Sequence, residues 1–121
     1  GSQIPFLDIA QGSSKQVFNE SLEYRDKSDY KDGVKLKVSS NYMVPILESG
    51  LVVFIGEKEG YGNTVIIQQI DGIDVWYGNI SNTSIKLYDY VEKGNLLGEC
   101  SNELYLVFKK DGNRLDYENR I

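Results

Sequence analysis

The chain has 121 residues, a net charge of −5, 40% apolar content, nine tyrosines, one cysteine and no histidine. That length suggests one domain able to bury roughly two thirds of its unfolded surface. The histidine count excludes Ser-His-Asp and Cys-His catalysis and any imidazole zinc site, one cysteine excludes a thiolate-rich one, and the negative charge argues against nucleic acid and against electrostatic adhesion to anionic membranes or wall polymers.

In chain order, Gly1-Ser2 reads as the scar of a cleaved tag and is left out of fold reasoning, so a natural chain can begin further upstream. Residues 3–30 form an N-terminal arm and first strand: residues 3–13 read as an extended tail, Gln11-Gly12-Ser13-Ser14 as a loop, and Val17-Phe18 as the start of a short strand. Tyr24 to Asp29 is too polar to bury. From Gly33, Val34, Leu36 and Val38 alternate with Lys35 and Lys37, the period-two pattern of a strand with one buried face. Pro45 confines residues 43–47 to an edge or a strand end. Gly50 to Gly56 is a continuous apolar run, expected as a strand covered on both faces. Gly60-Tyr61-Gly62-Asn63 reads as a turn, Thr64 to Gln69 as a strand, and Asp71-Gly72 as a hairpin turn whose two residues can both take positive φ. Strands are expected at 73–77, 85–91, 96–100 and 104–108, with a last short one near Leu115. About eight short strands and no sustained 3.6-residue period predict an all-β, antiparallel sandwich or barrel-like fold.

Several chemical readings fail on inspection. The glycines of Gly56 to Gly62 lead into a strand, whereas a phosphate loop leads into a helix. Glu48, Glu57 and Glu59 lie near apolar strands, but carboxylate pairs arise by chance among 18 acidic residues. Asp71 and Asp74 lack the further oxygen ligands of a calcium loop. Asn19, Asn79 and Asn82 open glycosylation patterns that an Asn- and Ser-rich chain produces readily. Cys100 ends an apolar stretch and reads as a half-buried small hydrophobe. Most tyrosines fit strands with the ring on the core and the hydroxyl at the rim. Tyr88 and Tyr90, two apart, share a face if that segment is extended, and make a candidate partner-binding patch.

Two stretches, "GLVVFIGEKEGYGNTVIIQQIDGIDVWYGNIS" and "IKLYDYVEKGNLLGE", carry a strand, a Gly-Tyr-Gly-Asn turn, a strand, an Asp-Gly hairpin, a Tyr-Gly pair and a V-x-K-G-x-x-x-G segment, in that order. In this order of motifs, residues 31–117 resemble the catalytic domain of lysostaphin/LytM-type zinc endopeptidases, which cut peptide crosslinks of bacterial cell walls. The resemblance implies the LytM (duplicated hybrid motif) peptidase fold over residues 31–121, or over one domain spanning 14–121. It also implies where the chemistry would sit. The family's His-x-Gly-x-Asp motif falls on "KDGVK", so Lys31 and Lys35 stand at two zinc-ligand positions. The catalytic histidine after Tyr-Gly falls on Asn79, and the His-x-His-Phe motif falls on "YLVF", giving Tyr105 and Val107. Zinc needs three protein ligands with lone pairs at about 2 Å and an open water position. Two ammonium groups repel a dication, Val107 has no donor atom, and water without a metal keeps a pKa near 16 where the zinc-bound form has about 7. The expectation is a peptidase fold with no catalytic residue, no metal and no cofactor.

The segments "IKLYDYVEKGNLLG" and "VWYGN" are most similar to stage IV sporulation members of the family, from endospore formers. That likeness implies a membrane anchor upstream, a domain in the space between forespore and mother-cell membranes, and a partner protein: an intramembrane protease that processes a sigma-factor precursor and that the domain restrains. Two other readings stay open. One is a non-catalytic module that retains peptidoglycan affinity; the other is a component of a forespore–mother cell channel. In each, a groove lined by Lys31, Lys35, Asn79 and Tyr105 could outlast the loss of metal and accept an extended segment at a strand edge.

Overall fold

The structure, a computed structural model, describes residues 20–121. The expected tail over 3–13 and the strand start at Val17-Phe18 lie outside the described residues. Nine strands occur among those described: β1 Asp26–Tyr30, β2 Gly33–Lys37, β3 Tyr42–Pro45, β4 Gly50–Lys58, β5 Gly62–Gln69, β6 Ile73–Asn82, β7 Tyr90–Val91, β8 Leu96–Lys110 and β9 Asn113–Arg114. All pairings are antiparallel, in the order β1-β2-β8-β6-β5-β4-β7, with β3 and β9 both added onto β8. The all-β architecture is the one the alternating pattern predicts.

Alternation explains the core. Val34 and Leu36 of β2, Val65 and Ile67 of β5, Val75 and Tyr77 of β6, and Leu104, Leu106 and Phe108 of β8 point to one face and are buried there. Residues Trp76 and Tyr77 of β6 sit opposite Val107 and Leu106 of β8, which locks the register of the two central strands. Tyr77 is fully buried; its hydroxyl accepts the Leu47 N–H at 3.0 Å, and burial pushes the phenol well above its ordinary range.

The local readings differ from the structure in five places, each for a stated reason. The apolar run of β4 is not covered on both faces. Leu51 and Ile55 stay exposed on one face, and β7 pairs with β4 only at Gly50 and Leu51, which leaves the rest of β4 an outer strand. The strand expected over 85–91 shrinks to β7, because Lys86 to Asp89 form a tight turn in which Tyr88 takes φ +71°. The two strands expected at 96–100 and 104–108 are one fifteen-residue strand, β8, in which Asn102 at φ +71° absorbs an irregularity. At the Asp71-Gly72 hairpin only Gly72 takes positive φ, with its N–H donating to the Gln69 carbonyl. The polar segment 26–30 is a strand despite burying almost nothing: β1 lies at the sheet edge, where charged residues deter pairing with another chain.

Candidate functional site

The face of the sheet opposite the core belongs to the other set of alternating residues. On β8 these are Glu103, Tyr105, Val107 and Lys109; on β2, Lys35; on β6, Trp76 and Gly78. Val107 is fully buried although it lies outside the main core cluster, so this face has packing of its own.

Four aromatic rings make that packing. The Tyr30 and Tyr105 rings stack at 4.6 Å with 13° between planes. Tyr61 meets Tyr30, Tyr105 and Trp76 edge-on, at 5.8, 6.1 and 5.6 Å. Such pairs contribute about 0.5–1.5 kcal/mol each beyond the area they bury. Tyr61 comes from the β4–β5 turn, and its hydroxyl accepts the Asp32 N–H at 3.2 Å. The Tyr30 hydroxyl returns a bond to the Gly60 carbonyl at 2.6 Å. Together these contacts tie the β1–β2 turn to the β4–β5 turn.

Gly78 and Asn79 let the rings close. A Cβ on Gly78 would stand 2.9 Å from the Tyr61 carbonyl oxygen and 3.2 Å from Tyr105 Cβ, so any side chain there would push the tyrosines apart. Asn79 follows in a left-handed conformation, φ +67°, at a break in the β6–β8 register. Asparagine tolerates that region better than most residues. Its N–H donates to the Tyr61 carbonyl at 2.6 Å and its side-chain Nδ2 to the Glu103 carbonyl at 2.7 Å. The amide side chain is thereby held by the backbone of β8.

Lysines cover the rings. Lys31 and Lys35 each place Nζ 5.9 Å from the Tyr30 centroid. Lys58 lies 5.0 Å and Lys109 4.7 Å from the Trp76 ring, with Lys58 also 4.6 Å from Phe54. Lys35 pairs with Glu103 at 3.9 Å and Lys109 with Asp32 at 3.7 Å. The Tyr105 hydroxyl donates to Glu103 at 3.2 Å; its pKa is raised, first by burial and then by that carboxylate.

The structure therefore brings five residues singled out from the sequence onto one face. Lys35 and Tyr105 are direct cross-strand partners, Gly78 beside Asn79 pairs with Tyr105, and Val107 lies two residues further along β8. Lys31 sits on the β1–β2 turn at φ +49°. Tyr88 and Tyr90 are elsewhere, at the β4–β7 edge, where both are exposed; the turn at Tyr88 removes the regular alternation expected of them. Tyr30, Tyr61, Trp76, Lys58 and Lys109 were not legible as site residues. The available signal was the alternation of Tyr105, Val107 and Lys109 on β8, which defines a second face.

Chemically the face offers ammonium groups, phenols, one amide and two carboxylates that already face lysines. Among the described residues no three His, Cys, Asp or Glu side chains are grouped to hold a metal. Lys31, Lys35, Asn79, Tyr105 and Val107 do not fit zinc: two carry positive charge, one has no donor atom, and the neutral amide and phenol, oriented by their bonds to Glu103, are not among zinc's usual ligands of Cys, His and carboxylate. Cys100 is fully buried, deeper than its sequence context suggested, and burial pushes its thiol up to about 11, the opposite of what a nucleophile needs.

The profile of peptidase family M23 matches residues 29–121. Stage IV sporulation protein FA of Bacillus subtilis (strain 168) is 30% identical over 95 residues, covering 74% of this chain and 36% of that protein. The chain thus spans about a third of the length of that curated relative. Among solved structures, a putative M23 peptidase from Pseudomonas aeruginosa superposes with a TM-score of 0.69 at 18% identity, over 87% of this chain and 50% of that one. The catalytic domain of lysostaphin, an antimicrobial peptidase from Staphylococcus simulans, gives 0.65 at 22% identity, over 74% and 77%. Helicobacter pylori Csd3 gives 0.68 at 24% identity, over 74% and 26%. At these identities the structural matches establish a shared fold.

Proposed function

From the premise that this chain belongs to peptidase family M23, we propose that it is a catalytically inactive member whose work is to hold a protein partner during sporulation. One observation carries the reading. The positions that the family resemblance assigns to zinc ligands and catalytic histidines hold Lys31, Lys35, Asn79, Tyr105 and Val107: two ammonium groups, and an amide, a phenol and an isopropyl group spent on hydrogen bonds and packing. No step of metal-assisted hydrolysis can be written through them.

The sporulation setting rests on the 30% identity to stage IV sporulation protein FA. Family likeness supplies the rest of the picture: a domain held outside the cytoplasm by a membrane anchor elsewhere in the full-length protein, facing the forespore intermembrane space. There it restrains an intramembrane protease that processes a sigma-factor precursor. The exposed patch of Leu51, Leu87, Tyr88 and Tyr90 is a second surface suited to such a contact.

A non-catalytic wall-binding module is the rival reading, favoured by the aromatic face. Co-sedimentation with purified peptidoglycan separates the two. The scaffold reading expects the domain to stay in the supernatant and to release no wall peptides; retention in the pellet supports the rival. Release of wall peptides that a chelator blocks contradicts both.

A further inference from the structure

We infer that the lysine-covered aromatic face docks a short acidic segment of the protein partner; this rests on the interaction reading above. The chain carries a net charge of −5, yet four lysines lie over two rings of one face, Lys31 and Lys35 over Tyr30, Lys58 and Lys109 over Trp76. The rings hold those ammonium groups in place, so part of the lysine rotamer freedom is lost before any ligand arrives.

The four lysines are not equivalent. Lys35 and Lys109 already face Glu103 and Asp32. Neither Lys31 nor Lys58 makes a salt bridge among the described residues. They also border the same place: the Lys31 arm reaches the β4–β5 turn so closely that a Cβ on Gly60 would clash with its Cε, and Lys58 ends β4 two residues before Gly60. Two cations at the β4–β5 turn, neither in an ion pair among the described residues, favour carboxylates. A long polyanion would meet the negative remainder of the molecule. A segment of a few acidic residues can meet the lysines locally, since Glu103 and Asp32 on this face already pair with Lys35 and Lys109.

Trp76 is the sole tryptophan and lies under Lys58 and Lys109, so its fluorescence reports on the face directly. The probe is a blocked hexapeptide of four glutamates and two glycines, titrated beside its glutamine counterpart and a wall stem peptide. The expected result is a saturable Trp76 change with the glutamate peptide alone, weakening with added salt. In Lys31→Gln/Lys58→Gln the affinity should fall about tenfold, since two exposed ion pairs with the peptide are lost. Lys86→Gln/Lys93→Gln, away from the face, should bind like the parent. Circular dichroism melts should show both variants fully folded at the titration temperature, which keeps the comparison one of binding. No saturation at millimolar peptide, equal affinity in Lys31→Gln/Lys58→Gln, or preference for the stem peptide would each overturn the inference. The outcome is separable from the reading beneath it: a domain that retains its partner but ignores the glutamate peptide defeats the docking site alone, whereas wall-peptide release defeats the inactive-domain reading.

Discussion

The two faces of β8 come from one strand and follow different rules. Leu104, Leu106 and Phe108 enter a continuous apolar core, where burial alone sets their identity. Tyr105, Val107 and Lys109, one residue out of phase, enter a cluster of rings, ammonium groups and carboxylates. The first face keeps the fold; the second is free to change its chemistry, because the core packs without it. A peptidase scaffold can therefore lose its metal site without losing its architecture.

Substitutions on the two faces should sharpen that contrast. Leu106→Ala on the core face should cost the most, about 2–5 kcal/mol, read as a lowered denaturation midpoint, because it opens a cavity among fully buried neighbours. Tyr77→Phe comes next: removing the hydroxyl orphans the Leu47 N–H and should cost about 1–3 kcal/mol at neutral pH.

That hydroxyl also sets a pH limit. The folded pKa of Tyr77 is raised above its unfolded value, so its neutral form contributes stability in full below about pH 10, and the contribution is lost as pH rises through the folded pKa. Cys100 acts in the same direction, from 9.0 in the unfolded chain to about 11 when folded. Unfolding on the alkaline side should thus begin above pH 9, and Tyr77→Phe should flatten the steeper loss above pH 10. Equal slopes in parent and variant would remove Tyr77 as a cause.

On the other face the effect on stability should be smaller. Tyr105→Ala removes a stacked and an edge-on contact, for about 1–3 kcal/mol, while shifting the Trp76 emission that Leu106→Ala leaves in place below its melting point. The smallest change belongs to the rim. Lys58→Gln should move the melting curve very little, since exposed cation–π contacts are worth about 0.5–1 kcal/mol.

What could be read from the chain follows the same division. Period-two alternation in β2 and β8 reveals the core face directly, because hydrophobic burial leaves a one-dimensional trace. The order of turn and hairpin motifs reveals the family. The aromatic cluster leaves no such trace. Tyr30, Tyr61 and Trp76 come from three segments, and only the register of β1, β2, β8 and β6, with the fold of the β4–β5 turn, brings their rings together. The apolar run of β4 misleads for a related reason: whether a strand is central or outer depends on neighbours that its own residues do not name, and here β7 covers only its first two positions.

The central claim is that the catalytic positions no longer support a metal. Equilibrium dialysis of the purified domain against micromolar zinc, with metal content read by elemental analysis, tests it most directly. The account predicts no stoichiometric uptake and the same melting temperature with and without a chelator. One bound zinc per chain, removed by a chelator with a fall in melting temperature, would contradict it.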